Sequence, residues 1–133
     1  MPEVPPELLP HFVRGVVDGD GTLAWNAGRP VLHIYSVSRD FLDGIAAEID
    51  IVAGIPAPNI VSVAHRTTKH IKWSTMRAKC LVAWLYLENP GMMLARKSMI
   101  AAQFIEWQPK KRPQTGTITE KMRSRYAKYL PAV

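Results

Sequence analysis

A chain of 133 residues can bury one real core, but it is short enough that a deep catalytic cleft would need a second subunit. A single cysteine, Cys80, excludes an internal disulfide framework, and the longest apolar run, "LVAWLYL", is far too short to span a bilayer. Seventeen Lys and Arg against eleven Asp and Glu leave a formal charge of +6, concentrated late in "HRTTKHIKW", "RAK", "ARK", "KKR" and "KMRSRYAK".

Two readings of that charge stay open: a solvated basic surface that mainly sets solubility, or a face that meets nucleic acid. The start, "MPEVPPELLP", has no basic region followed by an apolar run. It suggests a soluble, unprocessed chain in a reducing compartment, cytoplasmic or in a bacterial, phage or organellar matrix and not secreted, with no membrane partner.

From about Leu9 to Asp18, the apolar residues Leu9, Phe12, Val13, Val16 and Val17 recur at helical spacing, with Pro10 tolerable only in a first turn. "GDG" is expected to end that helix. "TLAWN" and "PVLHIYSV" then alternate like two strands of a hairpin around "AGR". Leu23, Trp25, Leu32 and Ile34 share one face, and Thr22, Ala24, Asn26, His33 and Tyr35 the other. "SRDFLDGIAAEIDIVAG" reads as a helix with Ser38 as N-cap and a stop near Gly54.

"IVSVAHR" and "HIKWST" form a second strand pair around "TTK", and "RAKCLVAWLYL" and "GMMLARKSMIAAQFIEW" form two helices broken at "ENPG". The order α-β-β-α-β-β-α-α predicts an α+β fold, an antiparallel sheet with helices on one face. Residues 1–107 make the core. Residues 108–133 are a basic extension whose "GTITEKMRSRYAKYL" has Thr117 three before Glu120, a capping-box spacing that predicts a short helix. Trp25, Trp73, Trp84 and Trp107 read as core, and Cys80 as packing. His11, His33, His65 and His70 lack the clustered spacing of a zinc site.

The stretch "FVRGVVDGDGTL" sets two carboxylates at the end of an apolar helix. A calcium loop counted from Asp18 needs glycine at the sixth position and glutamate at the twelfth, where Leu23 and Arg29 stand. Solvated caps before a helix-stopping Gly21 are a second reading, yet acids at a helix C-terminus oppose the macrodipole. Such local conflicts gather at functional sites. Gly15 and Gly19 lie four apart on one helical face, so a second backbone can approach there closely. A two-fold axis at that face would bring two copies of Asp20 together, and a divalent cation would relieve their repulsion. Oxygen ligands of this kind suit magnesium.

"VRGVVDGDG", Val13 to Gly21, resembles the signature of the LAGLIDADG homing endonucleases in its "DGDG" form. The helix–hairpin–helix–hairpin–helix order over roughly Leu9 to Trp107 is similar to that family's αββαββα core, with its four-stranded antiparallel saddle sheet. "LYLENPGMMLARKSMIAAQFI" resembles its second landmark, a leucine-rich turn followed by a basic pair. The resemblance implies that Asp20 binds Mg²⁺, with Mn²⁺ able to substitute, helped by the backbone of Gly19. Asp18 matches the first acid, with local capping as its alternative role. Lys97 matches a basic residue near the scissile phosphate and its attacking water, with a phosphate clamp or a surface lysine as alternatives. Ser38 falls where a polar residue often contacts active-site water, and as an N-cap it would look the same.

One motif copy implies a homodimer through Phe12, Gly15, Val16 and Gly19, or pairing with another single-motif chain. The implied target is a long pseudo-palindromic duplex, hydrolysed across its minor groove to leave short 3′ overhangs, with no small-molecule substrate. Recognition is expected from the sheet's outward face: Thr22, Ala24, Asn26, Arg29, His33 and Tyr35 from the first hairpin, and Ser62, Arg66, Lys69, His70, Lys72 and Ser74 from the second. Two other roles remain open, a DNA-binding regulator without nuclease activity and an RNA-binding intron maturase.

Overall fold

The computed structural model describes residues 1–89, 91, 95–114 and 116–131. Helix α1, Leu9–Asp20, opens with Pro10 in its first turn, where a missing N–H costs nothing, and buries Leu9, Val13, Arg14 and Val17. It continues past Asp18, through Gly19 and Asp20, because its end is held from outside by another element (below). The chain then passes straight into strand β1, Gly21–Asn26. A Cβ at Gly21 would stand 2.7 Å from Val17 Cα and 3.0 Å from His33 O, so only glycine fits this junction.

Strand β2, Arg29–Ser36, pairs with β1 around Ala27 and Gly28, both at positive φ (52° and 76°), as a two-residue hairpin turn requires. Helix α2, Arg39–Ala53, starts at Ser38, whose Oγ accepts the Phe41 N–H at 3.1 Å, and ends at Gly54 in the left-handed region. Strands β3, Val61–Ser62, and β4, Lys69–Ser74, form the second hairpin. β3 is much shorter than "IVSVAHR" predicts. The chain leaves the ladder into a turn in which the Arg66 N–H donates to Val63 O at 3.2 Å, and His65 adopts φ 59°.

Helix α3, Met76–Val82, runs into a π-helical turn, Ala83–Glu88, and α4 covers Ala95–Glu106. The expected start of α4 at "GMML" falls largely on residues 92–94, outside those described. Helix α5, Glu120–Tyr126, precedes a 3-10 turn, Ala127–Tyr129. Its cap is Thr119 and not Thr117: Thr119 Oγ1 accepts the Met122 N–H at 3.1 Å.

The four strands form one antiparallel sheet in the order β1-β2-β4-β3, so the two hairpins meet along β2 and β4. Leu23, Leu32, Ile34, Ile71 and Trp73 are buried beneath the helices with Leu42, Ile45, Ile49, Trp84 and Phe104. This is the α+β architecture expected, with the helices on one face. Cys80 sits in that core, where burial pushes its thiol up to about 12. Trp25 departs from the expected core. It faces the helices and meets Phe104 edge-on with centroids 4.9 Å apart, yet it lies on an edge strand and stays 41% exposed. Trp107 is half-buried.

The basic extension packs onto the same core through Met122, Tyr126, Tyr129 and Leu130. The Tyr126 hydroxyl donates to Ala53 O at the end of α2, and the Arg77 guanidinium donates to Gly116 O at 3.0 Å and Thr117 O at 2.9 Å. Among the described residues no helix is long and apolar enough to cross a membrane.

Candidate functional site

The last turn of any helix leaves carbonyls without intrahelical partners, and its partial negative charge attracts cations. At the foot of α1 that cation is Lys97. From α4 its Nζ donates to Val17 O, to Asp18 O at 3.1 Å and to Gly21 O at 3.0 Å. An ammonium has three N–H donors, and all are spent here. Lys97 is only 6% exposed. Burial lowers its pKa and Arg96 adds to that, while the charges of Asp18 and Asp20 oppose the shift. The local conflict of two acids at a helix C-terminus is thereby resolved by a lysine 76 or more residues away in sequence. In this geometry the ammonium holds backbone.

The two acids part company. Asp20 is exposed at the last position of α1, beside the exposed Gly19. Asp18 turns inward, its Oδ1 buried close to the buried Tyr86 hydroxyl. The carboxylate is near enough to raise the phenol, already pushed up by burial, although neither atom meets hydrogen-bond geometry. Asp18 is therefore half-buried, with one carboxylate oxygen turned away from solvent.

Gly15 and Gly19 point into open space: a Cβ at either would meet nothing within 4 Å. Each glycine inside a helix costs about 1 kcal/mol relative to alanine, and nothing among the described residues requires glycine at these positions. Phe12 and Val16, half-buried, flank them. Ser38 is exposed and its hydroxyl serves as the α2 cap, while its own N–H donates to Ser36 Oγ at 3.1 Å.

Two further buried cations escaped the sequence reading. Arg14, 3% exposed, donates from Nη1 to Leu85 O at 2.7 Å and to Asn89 O, and Nη2 meets His11 Nδ1. It passes so close to Gly91 that a Cβ there would stand 2.1 Å from Nη2. Lys79, 1% exposed, donates to Trp107 O at 2.6 Å, and burial lowers its pKa. With Lys97, each of these cations binds carbonyls at the end of a helical segment. A charge set within an apolar stripe, Arg14 three before Val17 or Lys79 inside "RAKCLVAWLYL", is the signal that would have found them.

On the sheet's outward face the register brings side chains together across strands. Thr22 lies opposite His33 and His33 opposite Lys72; Ala24 pairs with Val31 and Val31 with Ser74; Asn26 pairs with Arg29, and Tyr35 with His70. Thr22, Ala24, Asn26, Arg29, His33, Tyr35, His70, Lys72 and Ser74 thus share that face. Ser62 and Lys69 do not. They pair with one another, and Lys69 pairs with Ser36, on the side of Ile71 and Trp73. Adjacent residues of a strand face opposite ways, so Lys69 and His70 cannot both point outward. Arg66 lies in the β3–β4 turn.

An antiparallel four-stranded sheet backed by helices, with an acid at the open end of the first helix and a cation-bearing outer face, is the frame into which the comparisons fall. Among solved structures the chain is similar to a homing endonuclease, I-TnaI, with a TM-score of 0.50 and 17% identity, covering 71% of this chain and 67% of that one. At this identity the likeness is one of fold. No protein-family model matches the sequence, and no curated protein does.

Proposed function

We propose that this chain is one half of a site-specific DNA endonuclease of the LAGLIDADG type. Two copies would pair along the Phe12, Gly15, Val16 and Gly19 face of α1, and the paired sheets would lie on a long pseudo-palindromic duplex. The observation that carries the reading is the foot of α1: an exposed Asp20 follows a helix face kept open by two glycines that nothing among the described residues uses. The fold likeness to a homing endonuclease supports it.

Asp20 fits a magnesium ion, with Mn²⁺ as substitute. Mg²⁺ takes one or two carboxylates together with substrate phosphate oxygens, and no group of three His, Cys, Asp or Glu fit to hold a metal occurs among the described residues. One chain therefore offers half a site, which two copies of Asp20, with the Gly19 backbone alongside, would complete. When bound, the metal would lower the pKa of water and neutralise charge on the phosphate.

The chain's own residues do the rest. Lys97 fixes the last turn of α1, and with it the position of Asp20, and keeps a positive charge beside the acids. Arg14 ties the same helix to the π-helical turn. Arg29 and Lys72 on the outward face attract phosphates, and Thr22, Asn26, His33, Tyr35, His70 and Ser74 are placed to meet base edges, since a two-stranded ribbon fits the major groove.

A second reading, a DNA-binding regulator without cleavage, is favoured by one feature: the Lys97 ammonium is spent on backbone carbonyls. Incubation of the chain with a random duplex library and Mg²⁺ separates the two. Recovery of cleaved sites with two-fold symmetry and 3′ overhangs is the expected result; enriched but uncut sites would establish the regulator.

A further inference from the structure

His33, Tyr35 and His70 stand together at the middle of the outward face, on the two central strands. His33 and Tyr35 stack with ring centroids 5.5 Å apart, and His70 meets His33 edge-on at 5.2 Å and Tyr35 at 5.7 Å. Nδ1 of each histidine is buried in this packing without a hydrogen-bond partner among the described residues.

A neutral imidazole carries one N–H and one bare nitrogen. A proton on Nδ1 would bury an unpaired N–H, the rarer and costlier kind of orphan, so the stable arrangement keeps Nδ1 bare and the proton on Nε2. A second proton is opposed as well: burial, then His70, then Lys72 hold His33 below its ordinary value. The cross-strand neighbours offer no negative charge, since Thr22 and Lys72 flank His33, and Tyr35 and Val61 flank His70. Both rings are half-buried on the outward face, and of their ring nitrogens only Nδ1 is among the buried atoms without a partner.

We infer that His33 and His70 form a pair of Nε2–H donors that reads guanine in the major groove of each half-site. Guanine shows two adjacent acceptors there, O6 and N7, where adenine sets an amino donor beside N7 and cytosine shows a donor. Tyr35 packs against both rings, and Lys72 and Arg29 bring the phosphates alongside. This assignment rests on the duplex-DNA reading above.

The test selects bound sites from a random duplex library in Ca²⁺, then replaces each enriched guanine by 7-deazaguanine, which loses N7 and keeps base pairing. One guanine per half-site should weaken binding about tenfold on replacement with the unaltered protein, and much less with His33→Ala or His70→Ala. Equal weakening in the variants would assign that guanine to another side chain and overturn the inference. Enriched sites with no shared guanine would overturn it while leaving the DNA-binding reading intact. Absence of any enriched site would remove that reading, and this inference with it.

Discussion

The foot of α1 and the outward face of the sheet are both polar, but they hold their polar groups in opposite ways. At the foot, Lys97 spends every proton on Val17, Asp18 and Gly21 carbonyls, so the last turn is closed by the chain itself. On the sheet face, the cations Arg29 and Lys72 are not held by a carboxylate across the strands. Backbone held by buried hydrogen bonds is positioned in advance, whereas cations with no carboxylate across the strands stay available to an anionic partner. On the proposed reading, the foot is where chemistry is prepared and the face is where DNA is recognised.

The largest effect should come from the exposed acid at the foot. Asp20→Asn keeps shape and removes charge. Single-turnover cleavage of a selected site in Mg²⁺ should fall by roughly a thousandfold or more, while binding in Ca²⁺ stays unchanged or tightens. Normal cleavage by this variant would defeat the proposed metal site.

Lys97→Met tests whether the foot is a closed structure. Its removal strands buried carbonyls of α1, and urea denaturation should show a loss of about 3 kcal/mol. His70→Ala, on the open face, should lose less than about 1 kcal/mol. Comparable losses would erase the distinction between the two regions.

The glycines sharpen it further. Gly21→Ala should destabilise by about 2 kcal/mol, because its Cβ would press on the Val17 and His33 backbone. Gly15→Ala and Gly19→Ala fill open space and should each stabilise the isolated chain by about 0.5–1 kcal/mol. If those glycines serve helix pairing, the same substitutions should weaken self-association in sedimentation. An unaltered dimer would move the interface elsewhere.

For the sheet face, Lys72→Ala should reduce the slope of log affinity against log salt by about 1. Lys69→Ala, on the opposite side of the strand, should leave base selection unchanged. The smallest effect is in pH. His33 has a lower pKa folded than unfolded, so the unfolded chain binds more protons near the ordinary value of about 6.5. Stability should therefore decline as pH falls from above that value toward the lowered one. His33→Gln should flatten the decline in a denaturation series.

Local pattern alone determined much of this protein. Helical spacing placed α1 and α2, alternation placed the first hairpin and its two faces, and Ser38 was recognisable as a cap from its place before an apolar stripe. These features depend on neighbours a few residues apart, and a sequence displays them directly. Tertiary structure decided what depends on distant partners. Lys97 became the cap of α1 across 76 to 80 residues, which carried the helix on to Asp20. Asp18 and Asp20, alike in sequence, were divided by the approach of Tyr86 from the π-helical turn. Ser62 fell on the inner side because β3 registers it against Lys69, whose own side strand alternation already fixes, and Trp25 stayed exposed because its strand became an edge. Register, edge position and buried charge arise only when separate elements meet, and the meeting is a property of the packed core.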